Sequence, residues 1–282
     1  MDGHIVFEYY DGFFTKFTLY FGFLLTFLAY CICCRKAKFS LKNILFSFSL
    51  LFVFGLICGS IGYKLFYYSD INKFSELNPC VFKIFHVGFF RDNTIGFINT
   101  GANSGHGMVL GIIIAASVFG FILKKNIFAV LDCCIIPICL FLITWRITNL
   151  FNIENFGLPT DKSWGVVFSD IDNLPRHATM LYEAFWVLFV TVFLVFLSKK
   201  CSPFNRNNEI TYKHGFLFFT GIFLIYFVRF FIEMIKIQKN LMSNPVLDYL
   251  HLSMSQLLSI CFFVPALVFV IYLSPNESNL VE

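Results

Sequence analysis

Charge is what this chain has least of. Only 13% of its 282 residues are Asp, Glu, Lys or Arg, against about 25% in an ordinary soluble domain. That scarcity excludes a disordered tail, a coiled coil and a soluble enzyme, which all depend on charge for hydration or pairing. The balance is small as well: 21 Lys and Arg stand against 17 Asp and Glu, a net +4. No basic surface of the kind that binds nucleic acid follows from it, and no nucleic-acid partner is expected. Internal repeats are missing too, and without an inverted repeat a secondary-transporter architecture has little support. Metal-ligand spacing is also lacking. Of the ten cysteines, Cys31, Cys33, Cys34, Cys58, Cys133, Cys134, Cys139 and Cys261 lie in apolar runs, Cys201 follows a basic helix end, and Cys80 lies in a polar loop. Cys31-Ile-Cys33-Cys34 is not a zinc spacing and has no partner pair. Free thiols acting as small hydrophobes are expected, with no metal and no cofactor.

What the chain has instead is apolar bulk. Hydrophobic residues reach 58%, with 41 Phe, which points to an integral membrane protein. A helix crossing the hydrocarbon core needs about 20 mostly apolar residues. Seven such runs occur, roughly at 17–34, 44–67, 107–123, 127–145, 180–197, 215–235 and 254–273. The fold class expected is therefore all-α: a seven-span bundle forming a single membrane domain over residues 1–282. The first run follows Asp2, Glu8 and Asp11 and lacks a small-residue cleavage pattern, so it reads as a retained anchor.

Orientation follows from the short loops. Arg35, Lys36, Lys38 and Lys42 follow span 1, Lys124 and Lys125 follow span 3, and Lys199, Lys200, Arg206 and Lys213 follow span 5, with only Glu209 opposing them. That side reads as cytoplasmic. The amino terminus is then outside, the carboxyl terminus inside, and loops 68–106, 146–179 and 236–253 face outward.

Ionisable groups in membrane spans are costly and are functional candidates by default. Lys64 can snorkel. Asp132, in the first turns of span 4, is favoured by the helix dipole. The others gather at the outer ends of five spans: His106; Arg146 with Asn149, Asn152 and Glu154; Arg176, His177, Tyr182 and Glu183; Arg229 and Glu233; Ser253, Ser255 and Gln256. Arg229 and Glu233, four apart on one helix, are expected to pair. Arg146 has no acid three or four residues away, so it needs an anion from elsewhere. Arginine suits bidentate phosphate contact, which suggests a phosphate-bearing ligand from the membrane lipid. His106 lies between Gly101 and Gly111 at a helix start, a setting that permits close backbone approach and anion binding.

Read together, these segments resemble the prolipoprotein diacylglyceryl transferase family. Arg146-Ile-Thr-Asn149-Leu-Phe-Asn152-Ile-Glu154-Asn-Phe-Gly157 is similar to that family's Gly-Arg-x-Gly/Ala-Asn-Phe-x-Asn-x-Glu-x-x-Gly signature. Pro159-Thr-Asp161 with Trp164-Gly165 looks like its continuation, and Arg176-His177-Ala-Thr-Met-Leu-Tyr182-Glu183 like its Arg-His-Pro-Ser-Gln-Leu-Tyr-Glu segment. Ser104-Gly-His106-Gly, Arg229-Phe-Phe-Ile-Glu233, Met254-Ser255-Gln256, Tyr20-Phe-Gly22 and Gly62-Tyr63 also find counterparts, in order along nearly the whole chain. The family pattern has Gly where Trp145 stands, Gly or Ala at Thr148, Gly at Met108, Arg at Ser60 and Tyr at Ile225.

The resemblance implies a seven-span bundle of the bacterial cytoplasmic (inner) membrane with an active site toward the outer face. It implies transfer of a diacylglyceryl group from phosphatidylglycerol to the lipobox cysteine of a preprolipoprotein signal peptide, without metal or cofactor. The catalytic residues it implies are His106 as base for the thiol, with Arg146 and Arg229 on the phosphate. Substrate binding falls to Tyr20, Asn149, Asn152, Glu154, Gly157, Glu183 and Glu233. Glu233 is expected to orient Arg229, and Glu183 a neighbouring donor. The departures at Ser60, Trp145 and Thr148 leave a second reading open: a paralogue that binds phospholipid or signal peptide without turnover.

Overall fold

The computed structural model describes residues 5–7, 12–67, 104–204, 212–237 and 251–274. Among them, seven helices are long and apolar enough to cross a membrane. They are α1 (Phe13–Lys36), α2 (Leu41–Tyr67), α3 (Gly105–Leu123), α4 (Ile127–Phe151), α5 (Thr179–Ser198), α6 (Phe216–Ile232) and α7 (Met254–Leu273). They coincide with the seven hydropathy runs, and the all-helical class holds for the membrane part. Asp2, Glu8, Asp11, the side chain of Lys64, Cys80, Gly101, Arg206 and Glu209 lie outside the described residues, as does most of loops 68–106 and 236–253.

Two features differ from the expectation. Helix α4 runs to Phe151, past the loop start expected at 146, because Ile147, Leu150 and Phe151 continue its apolar pattern and nothing breaks it before Asn152. Ile153 and Asn155 then take positive φ and turn the chain. The loop beyond is also partly ordered as a small sheet. Strand β1 (Ile5–Phe7) pairs in parallel with β2 (Val166–Phe168), which pairs antiparallel with β3 (Pro175–Arg176). Beneath it Ile153, Phe156, Val166, Phe168, Ala178 and Met180 form a buried apolar cluster.

The chain forms two compact units. One comprises Met1–Ile44, Lys125–Gln238 and Ser255–Glu282; the other comprises Leu45–Lys124 and Lys239–Met254. In the first, α4 packs on α1, α5 and α6. Its most apolar stretch is 61% buried against 22% for α1, which makes α4 the central helix. Thr18 and Thr148 share a hydrogen bond of 2.9 Å, and Thr15 donates to Asn152 Oδ1 at 2.7 Å. Such interhelical bonds join helices where lipid offers no hydrophobic contrast.

At the opposite end of α4, Asp132 is fully buried. Its carboxylate accepts from the backbone N–H of Gly215 at 2.6 Å and of Phe218 at 2.9 Å. The dipole it answers is that of α6, not of its own helix, and it takes up donors that a helix start leaves unbonded. Asp132→Ala strands two buried donors. The expected result is a loss of about 2–4 kcal/mol, read as a lower thermal midpoint in detergent; an unchanged midpoint contradicts it.

In the second unit, α2 and α3 meet backbone to backbone. A Cβ on Gly107 would strike the Cys58 carbonyl, and one on Gly111 the Phe54 carbonyl. This is the small-residue spacing of close membrane helix pairs. Gly107 and Gly111 thus make the close backbone approach expected of this glycine-rich segment, here between two helices.

Candidate active site

Three helix ends of the first unit converge on one carboxylate. Arg146 stands on α4, and its Nη2 lies 2.5 Å from Glu183 Oε2. Arg229, in the last turn of α6, places Nη1 3.0 Å from the same oxygen. Lys236, just past α6, has Nζ 3.7 Å from Glu183 Oε1 and 3.7 Å from Glu233 Oε2. Arg146, Glu183, Glu233 and Lys236 are each less than a tenth exposed. Among the described residues, three cations face two carboxylates in this cluster, which leaves one positive charge in surplus. Away from water, such a network holds only if its members compensate one another.

Local structure explains the convergence. After α4, Glu154 N–H bonds to Asn149 O at 2.8 Å, closing the turn. Gly157 N–H then donates to His177 O at 2.7 Å, and Gly157 bridges to Lys236. A Cβ on Gly157 would sit 2.7 Å from both His177 Cβ and Ile235 O, so only glycine lets the three strands of chain cross. Thr179 Oγ1 donates to Asn155 O at the start of α5, and His177 Nδ1 contacts Tyr182 Oη at 3.1 Å. These bonds fix the entry of α5 and hence Glu183. Gln256 of α7 donates to Phe230 O at 3.4 Å, anchoring the turn that carries Arg229.

Arg176 pairs with Asp172, lies over the Phe156 ring and donates to Gly157 O at 3.4 Å. Its guanidinium holds the Asp172 carboxyl below the ordinary carboxylate range. A depressed acid contributes stability above its unfolded pKa, near about 3.9, and loses it as pH falls through the lower folded value. Hydrogen exchange over residues 165–176 is therefore expected to quicken only below about pH 4 after correction for intrinsic rates. Asp172→Asn gives the fast exchange at neutral pH; slow exchange in that variant contradicts the role. At Lys236, burial pulls the ammonium below the ordinary lysine range, with Glu183 and Glu233 opposing the shift.

The site residues expected from sequence divide as follows. Arg146, Glu183, Arg229 and Glu233 come together. Arg146 finds the anion it needed in Glu183, from another helix, so its isolation along α4 is not itself evidence for a phosphate. The ion pair of Arg229 likewise runs across helices to Glu183, while Glu233 faces Lys236. Asn149 lies one turn beyond Arg146 on the same side of α4; it is buried, and its Nδ2 has no partner among the described residues. Asn152 is engaged with Thr15, Glu154 is exposed and Gly157 is the crossing point. Tyr20 is 55% exposed, about 200° around α1 from Thr18, which faces α4, and does not join the cluster. His106 belongs to the second unit, where it is buried in the first turn of α3, whose start Ser104 caps by accepting from Gly107 N–H. Lys236 was missed; its three-residue spacing from Glu233 at the end of an apolar run was the signal.

Fold and site thus define a polytopic membrane protein with a largely buried cluster, net-cationic among the described residues, where three helix ends meet. The model of the prolipoprotein diacylglyceryl transferase family matches residues 16–272, and the chain belongs to that family. A phosphatidylglycerol–prolipoprotein diacylglyceryl transferase of Bacteroides fragilis is 29% identical over 228 residues, covering 80% of this chain and 76% of the relative. One of Rickettsia felis is 33% identical over 187 residues, 63% of this chain and 66% of the relative. One of Chlamydia pneumoniae is 33% identical over 175 residues, 58% and 57% respectively.

Proposed function

We propose that this protein transfers the diacylglyceryl group of phosphatidylglycerol to the lipobox cysteine of preprolipoproteins, the first step of bacterial lipoprotein maturation. One observation carries the reading beyond family membership: the largely buried cluster of Arg146, Arg229 and Lys236 around Glu183, with one positive charge in surplus among the described residues. A phosphodiester monoanion neutralises that surplus. Fixed donors in a poorly hydrated site then stabilise the charge that grows on the departing phosphate. Asn149 Nδ2 supplies a further buried donor.

The attacking thiol must lose its proton, since an unperturbed cysteine, with a pKa near about 8.5, is mostly protonated at neutral pH. His106 takes that proton in this proposal, on the strength of its Ser-x-His-Gly segment. Asn152 and Glu154 shape the head-group side, and Glu183 and Glu233 orient the cations. The proposed setting is the bacterial inner membrane, with the cluster toward the outer face and the basic loops in the cytoplasm. Two departures from the family pattern leave the cluster whole. Thr148 bonds to Thr18, on the side of α4 away from Arg146, and Trp145 packs against Phe141.

The test is a lipobox peptide incubated with purified protein and phosphatidylglycerol, then weighed. A cysteine peptide gains one diacylglyceryl mass and its Cys→Ser counterpart gains none. Lipid binding with no gain on the cysteine peptide favours the binding-only reading.

A further inference from the structure

Lys236 has the properties of a working group. It is 8% exposed, and its main chain is clamped: Lys236 bridges to Gly157, Leu158 N–H donates to Ile235 O at 2.9 Å, and Ile237 N–H donates to Phe156 O at 3.3 Å. Its ammonium stands 3.7 Å from an oxygen of each of two carboxylates. Both distances exceed the about 2.7–3.2 Å of a hydrogen bond. The charge is held in the cluster yet bound tightly to neither acid, whereas Arg146 and Arg229 close on Glu183 at 2.5 and 3.0 Å. Removing Lys236 also removes the positive surplus counted among the described residues of the cluster.

We propose that Lys236 is a third phosphate-binding cation, which joins Arg146 and Arg229 in taking up the charge that develops on the leaving phosphate. The inference rests on the transferase reading above. In that reaction the lipobox sulfur forms a bond to the terminal glyceryl carbon as the carbon–oxygen bond to phosphate breaks. The bonding pair leaves on the phosphate oxygen, and the thiol proton goes to the base. The phosphate begins as a singly charged diester and ends as a monoester carrying nearly two charges, its second pKa being about 6. The diester balances the surplus before reaction; the second charge appears only as the bond breaks. A cation that is not yet committed answers that second charge best, and interactions made in the transition state raise kcat rather than lower KM. Lysine suits the task, as a compact charge on a flexible stem able to leave the carboxylates for the new oxyanion.

The experiment compares wild type, Lys236→Met and Lys236→Arg with phosphatidylglycerol and a lipobox peptide, measuring kcat, KM for the lipid, inhibition by added glycerol phosphate and the thermal midpoint. For Lys236→Met, kcat is expected to fall about 100-fold with KM within about threefold. Its inhibition constant for glycerol phosphate rises about tenfold from the loss of one charge contact, and Lys236→Arg restores most of the rate. Where Lys236→Met does not insert, Lys236→Gln, with the same loss of charge, takes its place. Wild-type kcat in the neutral variant overturns the proposal. So does a lost rate that arginine fails to restore, or one with glycerol phosphate inhibition unmoved, for those mark a packing role. An inactive wild type overturns the transferase reading instead, and this inference with it.

Discussion

Arg146→Ala is expected to abolish diacylglyceryl transfer, by about 1,000-fold or more, in a protein that still inserts and purifies. Removing one fixed donor from a site of charge development commonly costs about 100- to 1,000-fold, and Arg146 contributes a two-pronged fork as well as a charge. Its loss removes one positive charge from the cluster, with Glu183 still held by Arg229 and Lys236. The remaining pairs keep the helix ends together, so the defect falls on chemistry more than on folding. Peptide mass after a single-turnover incubation measures it, with the thermal midpoint as control. A variant that transfers at the wild-type rate removes Arg146 from the reaction.

Glu183→Gln carries the second large effect, and it acts on both stability and turnover. Glu183 takes ion pairs from Arg146, Arg229 and Lys236. Without its charge, the buried Arg146 and Lys236 and the part-buried Arg229 keep only Glu233 among the described acids of the cluster. Breaking a buried ion pair by neutralising one partner costs about 3–5 kcal/mol, because the other charge is left uncompensated. The thermal midpoint is expected to drop markedly, and transfer to fall by more than about tenfold as the guanidinium groups lose their orientation. Phosphate in the buffer should restore part of the midpoint, since a bound anion replaces the missing carboxylate. An undiminished midpoint would mean that Glu183 is no structural keystone of the cluster.

Arg146 and Glu183 also mark how far sequence carries. Both were legible as unusual residues at the ends of apolar spans, since hydropathy reports charge in hydrocarbon directly. Their pairing was not. Glu183 lies 37 positions beyond Arg146, and a contact between helices leaves no period in the chain. The local rule for residues four apart suggested Arg229 with Glu233, yet the ion pair of Arg229 crosses to another helix. Lys236 was hidden for the opposite reason. A lysine just past an apolar run looks like a solvated loop charge, and the pairing of its main chain with residues 156–158 brings it into the cluster.

Spans were read well because each needs about 20 apolar residues, a signal too long to arise from packing detail. The end of α4 was misplaced because Arg146 and Asn149 looked like loop residues, whereas apolar neighbours carry the helix on to Phe151. Strands of two or three residues, such as β1 and β3, are too short to display alternation. Their pairing joins Ile5–Phe7 to residues near 167, a distance along the chain that no local pattern spans. Asp132 was placed correctly at a helix start, but its partner is the start of α6.

The most direct measurement follows both products of one reaction. Purified protein is given phosphatidylglycerol and a lipobox peptide; diacylglyceryl peptide is quantified by mass and released glycerol phosphate by phosphorus resonance. Equal amounts of the two are expected, rising together. Phosphatidic acid with free glycerol, or bound lipid with an unmodified peptide, would contradict the transferase reading.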